Sequence, residues 1–139
     1  MEQSRPKVGI GVMLMKDNKV LLAKRKNAHG DGEYAFPGGH LEFGESFQDC
    51  AIRETLEETG VEISNIKFQY LANVKKYGGK HYVHIGLTAD WKLGEAQVLE
   101  PDKSEAWGWY AINQAPQPLF EMCRLAIKSY QTGENYFDS

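Results

Sequence analysis

The sequence predicts an α/β (α+β) fold in which a mixed β-sheet carries helices on its faces. Three observations lead there. Two pairs of strand-like segments are each joined by a polar or glycine turn, which reads as two antiparallel hairpins. One segment with helical start and stop signals separates the pairs, and another lies near the end of the chain. A glycine-rich stretch between the first hairpin and the first helix follows neither period.

Residues 8–15 are apolar and β-branched, and the pattern resumes at 20–23 after the polar turn Lys16-Asp17-Asn18-Lys19. Gly30, Gly32, Gly38, Gly39 and Gly44 follow in quick succession. Such density indicates positive φ angles or close backbone approach rather than a strand or helix. Residues 46–59 form the clearest helix, with Ser46 as N-cap, Asp49 three residues on, and Gly60 as the stop. Segments 66–77 and 80–91 flank Gly78-Gly79, a hairpin signal. In the second arm Val83, Ile85, Leu87, Ala89 and Trp91 share one face, and His81 and His84 read as exposed residues of the polar face. A further strand is expected at 107–112. Pro118 then opens the second helix, where Leu119, Met122, Ala126 and Tyr130 recur at helical spacing.

A chain of 139 residues makes one domain, expected to span 1–139. Its 42% hydrophobic and 25% charged residues are ordinary for a globular protein and argue against disorder. The net charge of −3 argues against a nucleic-acid polymer as partner, while leaving room for a basic pocket that takes a phosphorylated small molecule. Cys50 and Cys123 make no disulfide framework or zinc motif and read as two reduced thiols. No signal-peptide pattern or membrane span is present in the sequence, so a cytoplasmic protein is expected.

The first helix carries the chemistry. On a wheel of ~100° per residue, Ala51, Ile52, Thr55, Leu56 and Thr59 occupy one arc, the expected buried face. Glu54, Glu57 and Glu58 occupy another, as near neighbours at i, i+3 and i+4 spacing. The only cation of the helix is Arg53, and two of the glutamates lie in the last turn, where the helix dipole disfavours them. A divalent cation resolves that imbalance, because Mg²⁺ favours hard oxygen ligands and leaves positions for phosphate. Gly38-Gly39 precedes the helix, so a backbone carbonyl is available beside the carboxylates, and free N–H groups there would receive a phosphate oxygen. Arg25 stands where it can reach phosphate from the end of the second strand. Tyr34, Phe36 and Phe120 are candidates for a base-stacking pocket.

The run Gly39-x5-Glu45-x7-Arg53-Glu54-Thr55-x-Glu57-Glu58-x-Gly60-Val61 resembles the Nudix box, the signature of the Nudix hydrolases. Thr55 departs from the pattern, standing where an aliphatic residue is usual. Residues 37–45, the run from Glu100 to Glu105 with Trp107 and Trp109, and the Pro118-Leu119-Phe120 turn are similar to the MutT-like branch. Within it they most resemble small cytosolic plant and animal enzymes that hydrolyse nucleoside triphosphates, oxidised ones included.

The resemblance implies an αβα sandwich and a Mg²⁺- or Mn²⁺-dependent hydrolase. Glu54, Glu57, Glu58 and the Gly38 carbonyl would be the metal ligands, and Arg53, paired with Glu45, would orient them. Glu57 or Glu105 would be the general base, with Glu57 ranked ahead. Gly39, His40, Leu119 and Phe120 would contact substrate, and a homodimer is common in that branch. The expected reaction converts a nucleoside triphosphate, oxidised dGTP among the possibilities, to the monophosphate and pyrophosphate. Hydrolysis of a nucleotide sugar, dinucleotide or prenyl diphosphate is the alternative, and a non-catalytic nucleotide-binding module the third reading.

Overall fold

The computed structural model describes residues 4–138. Its elements are β1 (Lys7–Lys16), β2 (Lys19–Arg25), β3 (Tyr34–Ala35), β4 (Gly38–His40), α1 (Phe47–Thr59), β5 (Glu62–Val74), β6 (Tyr82–Leu93), β7 (Ser104–Ala111), α2 (Glu121–Thr132) and β8 (Tyr136–Asp138). The strands form one mixed sheet in the order β3-β2-β1-β6-β5-β8, with β4 paired to β1 and β7 to β2. β1 runs parallel to β6 from Lys7↔Tyr82 to Met15↔Asp90. Ile10, Val12, Leu14, Ile85, Leu87 and Ala89 pack with Cys50 and Ala51 of α1 on one face. Met13, Leu22, Tyr70 and Ala72 pack with Met122, Cys123 and Ala126 of α2 on the other. The expected sheet between helices is this αβα sandwich.

The first hairpin turns at Asp17 and Asn18, with φ of 53° and 63°. Left-handed values at both central residues suit a tight two-residue turn, and Asp and Asn tolerate them well. In α1 the Ser46 Oγ accepts the Asp49 N–H at 3.0 Å, and Gly60 (φ 77°) donates its N–H to the Leu56 carbonyl at 2.9 Å. The buried face is narrower than the wheel predicts. Cys50, Ala51, Thr55 and Thr59 are buried, whereas Ile52 and Leu56 are 38% and 47% exposed. Small side chains let the helix sit close to the sheet, and that approach turns Ile52 and Leu56 outward.

Other expectations shift. Gly38 and Gly39 belong to the short strand β4, which pairs with β1 at Gly11↔Gly38 and Ile10↔Gly39. Positive φ is confined to Gly30, Gly32 and Gly44 of the five glycines in that stretch. β5 begins at Glu62 rather than 66, and β7 at Ser104 rather than 107. Pro118 does not open α2. Tyr34 donates its N–H to the Pro118 carbonyl and accepts the Phe120 N–H, both at 2.9 Å, so this segment is extended against β3 and the helix starts at Glu121. Tyr130 is 52% exposed and lies off the buried stripe of α2. A strand of three residues, β8, has no signal in the sequence pattern; Asn73 Nδ2 donates to Asp138 Oδ1 at 3.0 Å beside it.

His84 is a correction. It is 7% exposed, because the face of β6 opposite Ile85 and Leu87 lies under α2 instead of facing water. His81 is exposed, as expected. Cys50 and Cys123 are free and buried. Among the described residues no helix is long and apolar enough to cross a membrane.

Candidate functional site

A cavity of about 830 Å³ opens between the glycine-rich segment, the sheet and α2. Arg53, at its acidic end, holds the helix carboxylates in place. Its guanidinium forks onto Glu45, with Nε to Oε2 at 2.7 Å and Nη2 to Oε1 at 3.0 Å. Nη1 donates to Glu54 Oε1 at 2.7 Å and to Glu57 Oε2 at 3.3 Å, and Nη2 also donates to the His40 carbonyl at 3.3 Å. A planar fork can satisfy so many acceptors at once; a lysine ammonium presents a single point. The hydrogen bond from Arg53, ahead of smaller effects, holds the Glu45 carboxyl down to about 2. The same partner pushes the guanidinium further from deprotonation.

Glu54 and Glu58 line the cavity. Burial, partly offset by Arg53, raises the Glu54 carboxyl above its ordinary value. Burial also pushes Glu58 up to about 8, against the Gly38 N–H that donates to its Oε2 at 3.1 Å, while Glu54 and Glu100 add repulsion. The Gly38 N–H is therefore already taken, contrary to the expectation that it is free for phosphate. A Cβ on Gly39 would meet the Glu54 carboxylate, so a side chain there would displace that carboxylate from its place beside Arg53.

Among the described residues no three His, Cys, Asp or Glu side chains already form a cation cage, because Glu54 and Glu57 turn toward Arg53 and Glu58 toward Gly38. The chemistry nevertheless fits a hard divalent cation. Glu54 and Glu58 are carboxylates raised by burial and close enough to repel one another, and both offer oxygen donors.

The cavity brings together Arg25, Phe36, Gly38, Gly39, His40, Glu54, Glu58 and Phe120 of the expected set. Arg25 donates from Nε to the His29 carbonyl at 3.0 Å and lies over the Phe120 ring at 4.2 Å. Glu57 is half-exposed on the solvent side of the cluster. Tyr34, Leu119 and Glu105 do not line the cavity. Tyr34 packs edge-on to Tyr110, Leu119 takes part in the bridge to Tyr34, and Glu105 is exposed on β7. From the loop before β7, the carboxylate that acts on both Glu54 and Glu58 is Glu100.

Several lining residues escaped the sequence reading. His29 stacks on Tyr82 with centroids 5.2 Å apart and adjoins Phe120 at 5.6 Å. Burial, then Arg25 and Lys80, lowers its imidazole to about 4. Lys7, Lys80 and Lys103 surround His40 and, after burial, lower its pKa too. These lysines are scattered through the sequence, and no local pattern signals that they meet.

The NUDIX domain model matches residues 5–129. Over 132 residues the chain is 33% identical to an ADP-ribose pyrophosphatase of Methanocaldococcus jannaschii, covering 94% of this chain and 76% of that protein. An NAD-capped RNA hydrolase NudC of Vibrio parahaemolyticus is 32% identical over 107 residues, and the alignment covers 76% of this chain but only 38% of that relative. A solved MutT NUDIX hydrolase from Burkholderia pseudomallei superposes with a TM-score of 0.85 at 33% identity, covering 90% of this chain and 98% of that one. The chain belongs to the NUDIX hydrolase family, enzymes acting on phosphoric anhydrides.

Proposed function

We propose that the chain hydrolyses the phosphoric anhydride of nucleoside triphosphates, releasing the nucleoside monophosphate and pyrophosphate. The observation that carries this reading is the composition of one continuous cavity. Glu54, Glu58, Phe36 and Phe120 all line it, and the cations Lys7, Arg25, Lys26, Lys80 and Lys103 outnumber the carboxylates Glu42, Glu54, Glu58 and Asp102 there. With Glu54 and Glu58 given over to a divalent cation, the remaining basic groups suit a triphosphate better than a diphosphate diester, which carries less negative charge.

Glu54 and Glu58, which line the cavity, are the groups that would hold a divalent cation, Mg²⁺ or Mn²⁺. When bound, the cation neutralises phosphate oxygens and acidifies a water. Arg53 fixes the carboxylates, and Arg25 and the lysines orient the phosphate chain. Phe120, beneath Arg25, gives the base an apolar surface. Glu57, at the solvent side where water enters, accepts the proton of the attacking water. A P–O bond to that water forms as the bond to the leaving pyrophosphate breaks.

A second reading has support in the relative named as an ADP-ribose pyrophosphatase, whose alignment covers most of this chain. The test is a product-resolved panel with Mg²⁺: ordinary and oxidised nucleoside triphosphates, ADP-ribose, NAD and a nucleotide sugar. At least tenfold higher kcat/KM on a triphosphate, with pyrophosphate released, is the expected result. The reverse ratio transfers the assignment to ADP-ribose. Glu57→Gln should abolish release with an unchanged circular dichroism spectrum; wild-type turnover by that variant removes Glu57 from the mechanism.

A further inference from the structure

Three glycines sit in the middle of the central strands, where they weaken a sheet unless something uses the space. Gly9 and Gly11 lie on β1, and Gly86 pairs with Gly11 across the parallel β1–β6 ladder. Two rings occupy the room they leave. The His84 imidazole lies along β1, where a Cβ on Gly9 would meet Nδ1 at 3.0 Å and one on Gly11 would meet Nε2 at 2.6 Å. The Tyr70 ring covers Gly86 and anchors to α2 by donating its hydroxyl to the Met122 carbonyl at 2.6 Å. With no side chains standing on these positions, the sheet face stays low and the cavity reaches beneath α2.

The ladder between β5 and β6 is irregular at this point. Phe68 pairs with Leu87 and Tyr70 with Gly86, so β5 advances two residues while β6 advances one. The extra residue is Gln69. A bulge re-aims a side chain, and here both Gln69 and Tyr70 reach the α2 side, where regular alternation would send one away. Gln69 Nε2 donates to the Ala126 carbonyl at 2.7 Å and contacts Met13 Sδ at 3.5 Å. A carbonyl only accepts, so this bond fixes which end of the amide is nitrogen. Oε1 is left buried with no hydrogen-bond partner.

We propose that Gln69 Oε1 and the His84 imidazole read the edge of the nucleobase, selecting a base that presents an N–H group to the Gln69 oxygen. The inference rests on the nucleotide reading of the same cavity and deepens it. Both residues line that cavity. His84 is 7% exposed, and burial alone holds its imidazole down to about 3, with no hydrogen bond contributing. It is therefore neutral at working pH, with one N–H to donate and one nitrogen to accept. A buried acceptor without a partner discriminates strongly, because a ligand lacking the matching donor leaves it unsatisfied.

The experiment measures calorimetric affinity for pairs of nucleoside 5′-monophosphates that differ in one N–H donor: adenosine against purine riboside, guanosine against inosine and against 1-methylguanosine. In the wild-type chain at least one pair should differ roughly tenfold or more. In Gln69→Met, of similar length and without the oxygen, the same pair should agree within twofold. A ratio unchanged by the substitution overturns the proposal. A readout that needs no variant is the ¹⁵N spectrum of histidine-labelled wild-type protein: the tighter nucleotide should shift the His84 ring signals and pyrophosphate alone should not. Unmoved His84 signals also overturn it. Triphosphate hydrolysis without base discrimination refutes this inference and leaves the proposed reaction standing. Selective nucleotide binding without hydrolysis does the opposite, and absence of any nucleotide binding removes both.

Discussion

His84 should make the folded protein sensitive to mild acid. Its imidazole is held at about 3 in the fold by burial, against about 6.5 in an unfolded chain. A lowered histidine pKa means that the unfolded state binds the proton first. Its contribution is thus complete above the unfolded value and is lost as pH falls toward the folded one. Linkage between those two values gives a loss of about 2 kcal/mol by pH 5 and about 3 kcal/mol by pH 4. His84→Phe keeps a planar ring over Gly9 and Gly11 and removes the titration. The assay is urea unfolding of both proteins at pH 7, 6, 5 and 4, taking the difference between them at each pH. That difference cancels His29 and the carboxylates, which titrate in both. The variant should gain on the wild type by about 2 kcal/mol between pH 7 and 5. A difference that stays flat over that range refutes the argument that His84 is buried and neutral.

Glu45, depressed to about 2 by Arg53, contributes stability that is complete above the ordinary carboxylate range and is lost as pH falls toward 2. Glu45→Gln should therefore flatten the acid limb of a thermal-stability profile, and an unchanged limb would separate Glu45 from the Arg53 network. Arg53→Lys replaces a fork that meets Glu45, Glu54 and Glu57 with a single charge. Pyrophosphate release should fall on the order of a hundredfold or more, and a loss below threefold would contradict its positioning role. Thr55 is fully buried and its Oγ1 has no partner. Thr55→Val should consequently stabilise by about 1 kcal/mol, a rise in Tm of about 3–4 °C; a lower Tm would mean the hydroxyl is satisfied after all.

The local chemistry of the acidic end was legible because it is consecutive. Helical spacing alone places Glu54, Glu57 and Glu58 together, Ser46 and Gly60 mark the ends of α1, and Asp17-Asn18 marks the first turn. These are short-range consequences of backbone geometry, and the fold leaves them intact. The helix wheel erred at Ile52 and Leu56 because burial depends on how closely a helix docks, which the small side chains of Cys50, Ala51, Thr55 and Thr59 decide. His84 departs from its expected exposure for a related reason. Alternation along β6 separates two faces but does not say that α2 covers the second.

Adjacency along the chain is enough to put a carboxylate cluster, an arginine beside it and a glycine approach in one site, since all lie within one loop and helix. What else meets there depends on how the layers pack. Parallel pairing sets His84 over Gly9 and Gly11, and the bulge at Gln69 turns its amide under α2. Lys7 at the start of β1 and Lys80 and Lys103 from loops come from distant positions to the same cavity, and Glu100 adds its charge to that of Glu54 and Glu58. Contacts between residues far apart in the chain depend on strand register and layer packing, which no local spacing records.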